Sequence, residues 1–339
     1  MIVPSKAKYL FFLVIPFSAY LSLFGSGVAT YYCVLVAFGV LPIIELLLPP
    51  DPFNWDESTM MNRRKDLLFD LWLYLNLPLQ FGAVLVFLTQ IDDPTLHWWE
   101  VLGKITALGI MCGVNGINVA HELGHRREKH HQVMAQALLM TSLYMHFFIE
   151  HNRGHHLHVS TPQDPSSARY RESLYAFWIR STTQTVSSAR RLDPKQMVVF
   201  QVIQIAWVLL ILALAGRFAT LAYLGAAVLG FLLLESVNYI EHYGLSRKMV
   251  SPDRYEKAKP EHSWNSDHPL GRLILFELSR HSDHHYQPQH PYQILRHHDH
   301  SPQLPTGYPG MILLATIPPL YFSIMDAQMK KYDLLPKTS

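Results

Sequence analysis

VLGKITALGIMCGVNGINVA, residues 101–120, runs directly into HELGH, residues 121–125. An α-helix needs about 20 apolar residues to cross a hydrocarbon core of about 30 Å, and this stretch supplies them with Lys104 as its single charge. The His-Glu-x-x-His end then follows at a membrane interface. An apolar crossing that ends in imidazoles and a carboxylate implies a span that delivers a polar site to one face of the bilayer.

Working outward, five more stretches have the same character: Tyr9 to Phe24, Val28 to Leu48, Leu67 to Leu88, Met197 to Ala215 and Ala219 to Ile240. Gly25-Ser26-Gly27, Ile91 to Glu100 and Gly216-Arg217-Phe218 join neighbours in pairs. The expected fold is therefore all-α, an integral membrane protein with about six spans (near 9–24, 28–48, 67–88, 101–120, 197–215 and 219–240) in three hairpins. It is expected to form a single domain over residues 1–339. The first span has no small-residue cleavage site and reads as retained helix.

Net charge is +2, too small to argue for nucleic acid as a partner. Its placement is more informative, because basic loops stay cytoplasmic. Arg63, Arg64, Lys65, Arg126, Arg127, Lys129, Arg153, Arg169, Arg171, Arg180, Arg190, Arg191 and Lys195 all fall between pairs of spans on one side, and Ile91 to Glu100 has no Lys or Arg. Both termini and the histidine-bearing segments 121–196 and 241–310 are expected in the cytoplasm. Val133 to Ile149 is apolar and nearly long enough to span, but crossing would carry the following histidines to the opposite face, so it is expected not to cross.

The chain has 20 histidines, concentrated in four stretches that abut apolar segments. These are His121 to His125, Glu150 to His156, Asn238 to Gly244 and Arg280 to His285. Helical residues three and four apart share a face, so His121 with His125, His151 with His155, and His281 with His284 and His285 are expected to converge. Neutral imidazole suits iron, zinc and copper alike. Glu122, Glu150, Glu241 and Asp283 adjoin these histidines and suit carboxylates that accept the second ring N–H, with direct metal ligation the alternative.

Single histidines near an interface read as amphipathic side chains with wet tips, which covers His97, His130, His131, His146 and His158. Arg296-His297-His298-Asp299-His300, followed by Pro302 and Pro305, reads as a solvated loop. His121 to His125 also fits the zinc-protease motif, but a zinc hydrolase uses about three protein ligands and leaves the other clusters unexplained. A membrane metal transporter should carry polar groups at mid-membrane depth, where these spans hold few. Cys33 and Cys112 lie inside spans and read as apolar side chains, forming neither a disulfide framework nor a rubredoxin-type iron site. No Gly-x-Gly-x-x-Gly fingerprint occurs, so redox chemistry here would need a separate electron carrier.

HELGH at 121–125, FFIEHNRGHH at 147–156, NYIEHYGL at 238–245 and RHSDHH at 280–285 resemble the signatures of integral-membrane alkane 1-monooxygenases. That family is related to xylene monooxygenase hydroxylases and, more distantly, to membrane fatty-acid desaturases. HSWNS at 262–266 and LPTGYPG at 304–310 are similar to its linking segments. The three-cluster pattern alone also fits desaturases; NYIEHYG and the Trp264 segment favour the alkane group. Arg126 and Ser279 depart from the usual Lys and Gln, and the N-terminus looks shorter than usual.

The resemblance implies a di-iron site held by His121, His125, His151, His155, His156, His242, His281, His284 and His285, with O2 as co-substrate. It implies hydroxylation of terminal methyl groups of alkanes drawn from membrane lipid, at the cytoplasmic face of the cell inner membrane. Rubredoxin and a flavin-dependent rubredoxin reductase are the implied partners, with Arg169, Arg171, Arg190 and Arg191 as candidate docking residues for an acidic carrier. Ala37, beside Phe38-Gly39 in the second span, is the expected stop of the substrate channel. Alkyl-aromatic hydroxylation and fatty-acyl desaturation are the neighbouring activities.

Overall fold

The computed structural model describes residues 6–252 and 254–336 of the chain. Among the described residues, five helices are long and apolar enough to cross a membrane: α1 (Lys6–Phe24), α2 (Gly27–Leu47), α3 (Leu67–Gln90), α4 (Trp98–Gly124) and a 49-residue segment, Pro194–His242. The last is two helices in sequence. Gly216 has φ +79°, a left-handed conformation that costs glycine little and lets the chain reverse. Trp207 Nε1 then donates to the Tyr223 hydroxyl across the turn at 2.7 Å, so residues 194–215 and 217–242 lie side by side. Helices satisfy their own backbone groups, which is what a lipid environment demands.

α4 is the central helix, the most deeply buried of the five. Small residues allow that. At Gly230 a Cβ would sit 3.1 Å from the Gly109 carbonyl oxygen and closer still to Cys112, so the 217–242 helix and α4 touch backbone to backbone there.

The connection after α4 holds α5 (Lys129–Thr141) and the helical run α6 (147–158), broken by Leu143 at φ +53°. α5 has 13 residues, so it is about 20 Å long and falls short of the hydrocarbon thickness. α7 (Leu174–Leu192) begins at Ser173, whose Oγ caps Ala176 N–H, and buries Leu174, Phe177, Ser181, Thr185 and Ala189 along one face. Calling the 49-residue segment α8, the remaining chain adds a two-strand hairpin (Met249–Ser251 and Arg254–Tyr255), a short helix α9 (His281–Tyr286), α10 (Tyr308–Ala315) and α11 (Pro318–Lys331).

A buried ion network seats α9. Arg272 Nε donates to Glu277 Oε2 at 2.6 Å, Tyr9 hydroxyl donates to Glu277 Oε1 at 2.7 Å, and Arg280, 1 % exposed, donates to the carbonyls of Phe53 and Leu295. Two arginines hold the Glu277 carboxyl down at about 2 against the upward push of burial, so the network stays charged. It ties α1 and the 51–54 loop to the residue that precedes His281.

Candidate metal centre

The ends of α4 and α8 meet α6 and α9 at one place, and nine imidazoles gather there in two groups. His121, His125, His151, His156 and His284 form one; His155, His242, His281 and His285 form the other, each set with its ligand atoms within 4.8 Å of one another. In the first group consecutive Nε2 atoms lie 2.9 Å (His121 and His284), 3.0 Å (His284 and His156), 3.0 Å (His156 and His151) and 3.0 Å (His151 and His125) apart. In the second they lie 3.1 Å (His281 and His242), 2.9 Å (His285 and His281) and 3.2 Å (His155 and His285) apart. All these contacts are Nε2 to Nε2.

Spacing of this kind tests the fit of a metal. Ligands about 2.1 Å from one ion lie about 3.0 Å apart when they are at right angles and about 3.4 Å apart when tetrahedral. The first group follows the right-angle value and supplies one nitrogen too many for a tetrahedral zinc. Burial pushes the imidazoles of His151, His156, His281, His284 and His285 well below the usual histidine range, and that of His125 down to about 3. They are neutral at physiological pH, the form that binds a metal. Two buried histidine clusters of this chemistry fit a two-metal site.

Local helix geometry decides which histidine joins which group. His151 and His155 were expected on a common face, but the turn His151–His155 is π-type, with the wider i to i+5 repeat. His151 therefore pairs with His156, while His155 points into the other group. On α9, where the ordinary turn holds, His281 and His285 stay together and His284 turns to the first group.

Asp164 accepts from the Nδ1 of one of these rings. Its Oδ2 lies 2.9 Å from His155 Nδ1, and Ser167 Oγ and Ser166 N–H donate to the same carboxylate. Burial disfavours both charges, yet their mutual attraction prevails, raising the pKa of His155 and lowering that of Asp164. Asp164 sits in a loop and shares no helical spacing with the clusters, so sequence patterning offered no signal for it.

The four carboxylates read from the sequence lie around the centre with varied partners. Glu122 Oε1 accepts from Arg126 at 2.8 Å and from Tyr292 N–H at 3.2 Å, which ties the end of α4 to the 292–295 segment. Glu150 takes Ser188 Oγ at 3.3 Å, and burial together with the nearby Asp164 charge pushes it up to about 8. Asp283 binds His298 Nε2 at 2.6 Å and Arg296 N–H at 3.1 Å. Glu241 differs from these, for its Oε1 accepts from the Tyr308 hydroxyl at 2.7 Å while Oε2 stands 3.2 Å from His281 Nε2, on the side where that ring would meet a metal.

Tyr308 also lines a small, mostly apolar chamber of about 60 Å³ with Ala37, Phe38, Leu41, Glu45, Ile110 and Val237. Ala37 is 6 % exposed, in a π-type turn of α2. A wider apolar cleft shares Phe38, Ile110, Leu233 and Ile312 with the chamber. Arg169, Arg171, Arg190 and Arg191 are all exposed; Arg171 pairs with Asp326 and lies over the Tyr170 and Phe322 rings.

Several lone histidines differ from expectation. His146 is buried, 3.4 Å from Thr185 Oγ1, and His131 is buried between Tyr74 and Glu128. The 296–300 loop is also more than solvated chain: His297 contacts Asp267 at 2.7 Å and His298 contacts Asp283, while His300 stays exposed. Carboxylates distant in sequence hold these rings, which adjacent residues could not reveal.

Comparison with known proteins places this architecture. The fatty acid desaturase family profile matches residues 96–315, which include all nine imidazoles. Alkane 1-monooxygenase 1 of Pseudomonas aeruginosa is 40 % identical over 316 residues, covering 88 % of this chain and 82 % of that protein. Alkane 1-monooxygenase 1 of Alcanivorax borkumensis is 37 % identical, covering 87 % and 76 %. The chain belongs to the alkane 1-monooxygenase family. A hydroxylase component of xylene/toluene monooxygenase from Pseudomonas putida is more distant, at 29 % identity over 312 residues. Within the family, this chain is a membrane hydroxylase whose histidine clusters are consistent with a two-metal site.

Proposed function

We propose that this protein is a non-haem di-iron monooxygenase that converts alkanes to primary alcohols, with the nine clustered histidines as iron ligands. The observation that carries this reading is their separation into groups of five and four at metal-ligand spacing. The overall reaction takes an alkane, O2, two electrons and two protons to an alcohol and water. Bound iron would supply the activation of O2 and of an unactivated C–H bond that no side chain can provide.

The protein's part is placement. The wider apolar cleft and the small chamber beside Tyr308 are lined mostly by apolar side chains, so together they suit an alkyl chain arriving from the bilayer, with Ala37 on the chamber wall as the element that limits chain length. His155, held by Asp164, keeps one tautomer and aims Nε2 at the centre. The electrons would come from rubredoxin, reduced by its flavin-dependent reductase. An acidic carrier would be steered by Arg169, Arg171, Arg190 and Arg191, on the cytoplasmic face of the inner membrane.

Purified protein loaded with iron and supplied with rubredoxin, reductase and NADH should turn octane or hexadecane into the 1-alcohol. Turnover confined to p-xylene or to acyl chains, or conversion without a rubredoxin requirement, would contradict the proposal.

A further inference from the structure

Glu45 is an acidic residue on α2, a helix long and apolar enough to cross the membrane, and it is 1 % exposed. Such a carboxyl is costly to bury there, which makes its role a question in its own right. Its Oε1 accepts from Gly271 N–H at 2.7 Å, and its Oε2 has no hydrogen-bond partner among the described residues. The side chain fills a notch that two glycines leave open. A Cβ on Gly271 would stand 2.9 Å from Oε1, and one on Gly307 would overlap Oε2 outright.

Gly307 immediately precedes α10, and the first residue of that helix is Tyr308. Tyr308 lines the same chamber as Glu45 and donates to Glu241, whose other oxygen stands 3.2 Å from His281 Nε2. Glu45, Gly307, Tyr308, Glu241 and His281 thus form one line of contacts from the chamber wall to the four-histidine group.

We propose that Glu45 is a positioning residue that seats the start of α10, and through it holds Tyr308 and Glu241 against the four-histidine group. This rests on reading that group as a metal site. A wedge that accepts one hydrogen bond needs shape and an acceptor oxygen but no charge, so glutamine replaces it and leucine does not. When the seat loosens, Tyr308 and Glu241 shift, and with them the carbon presented for reaction.

The test uses the full-length protein in lipid nanodiscs with iron, comparing wild type, Glu45→Gln, Glu45→Leu, Tyr308→Phe and the Glu45→Leu/Tyr308→Phe double variant. Iron per chain, the ferrous Mössbauer spectrum and the ratio of 1-octanol to 2-octanol are measured. Glu45→Leu and Tyr308→Phe should keep both irons, alter one iron signal and raise the 2-octanol share several-fold. The double variant should match Tyr308→Phe, because residues acting in one line do not add. Wild-type spectra and product ratio in Glu45→Leu, additive effects in the double variant, or a Glu45→Gln protein that behaves like Glu45→Leu would each overturn the proposal. If Glu45→Leu does not fold, Gly307→Ala presses on the same notch from the other side and should give the same shift. Wild-type protein that binds no iron would instead defeat the metal reading itself.

Discussion

The two histidine groups are built from the same side chains yet sit in different surroundings. The group of five includes two half-buried rings, His125 and His156, and its closest contacts are other imidazoles. The group of four is buried throughout, is steadied by Asp164 behind His155, and has Glu241 and Tyr308 between it and the apolar chamber. One site is filled by nitrogen and lies nearer the surface. The other has fewer nitrogens, carboxylates at hand and the mostly apolar chamber beside it. Under the proposed function, the four-histidine group would lie toward the substrate and the five-histidine group toward the electron donor.

Adjacent residues offer the sharpest way to break that division. Because the π-type turn sends His155 and His156 into different groups, His155→Ala and His156→Ala should each abolish hydroxylation yet remove different iron signals from the Mössbauer spectrum. Loss of the same signal in both would mean that the two groups are one site. A smaller effect is expected at Asp164: Asp164→Asn should weaken iron binding at the four-histidine site by about 10–100-fold and spare the other, which titration with a competing chelator would measure.

Next in size is the chamber. Ala37→Trp should remove the longest alkanes from the substrate range while leaving octane turnover within about twofold, since the added bulk enters the apolar space that only a long chain would reach. An unchanged chain-length limit would show that the chain does not reach that wall. The smallest expected effect is on pH. The unfolded chain's histidines protonate below about 6.5, but burial keeps several in the metal-free folded protein neutral, His125 down to about 3. The unfolded state therefore binds more protons as pH falls, so thermal stability of the metal-free protein should drop steadily from pH 7 to pH 4. A midpoint that rises over that range would contradict the buried, neutral cluster.

Much of this was readable in sequence, for reasons that differ from element to element. Apolar length announces a membrane helix directly, and Gly216 between two such stretches marks a reversal because few other residues adopt its backbone angle. The nine imidazoles stand out because their motifs end apolar runs. Their sorting did not, since the 3.6-residue repeat that pairs His151 with His155 fails inside a π-type turn, and nothing in HNRGH announces that turn. Asp164, Glu45 and Tyr308 escaped for another reason. Each acts through a contact made only when distant segments fold together, such as Tyr308 on Glu241, 67 residues apart in the chain.

The most direct test of the account is to count and resolve the metals in active, purified protein by elemental analysis with Mössbauer spectroscopy. Two irons per chain in two distinct environments of equal weight are expected, matching a five-nitrogen site and a four-nitrogen site. A single metal per chain, zinc in place of iron, or two irons in one indistinguishable environment would contradict it.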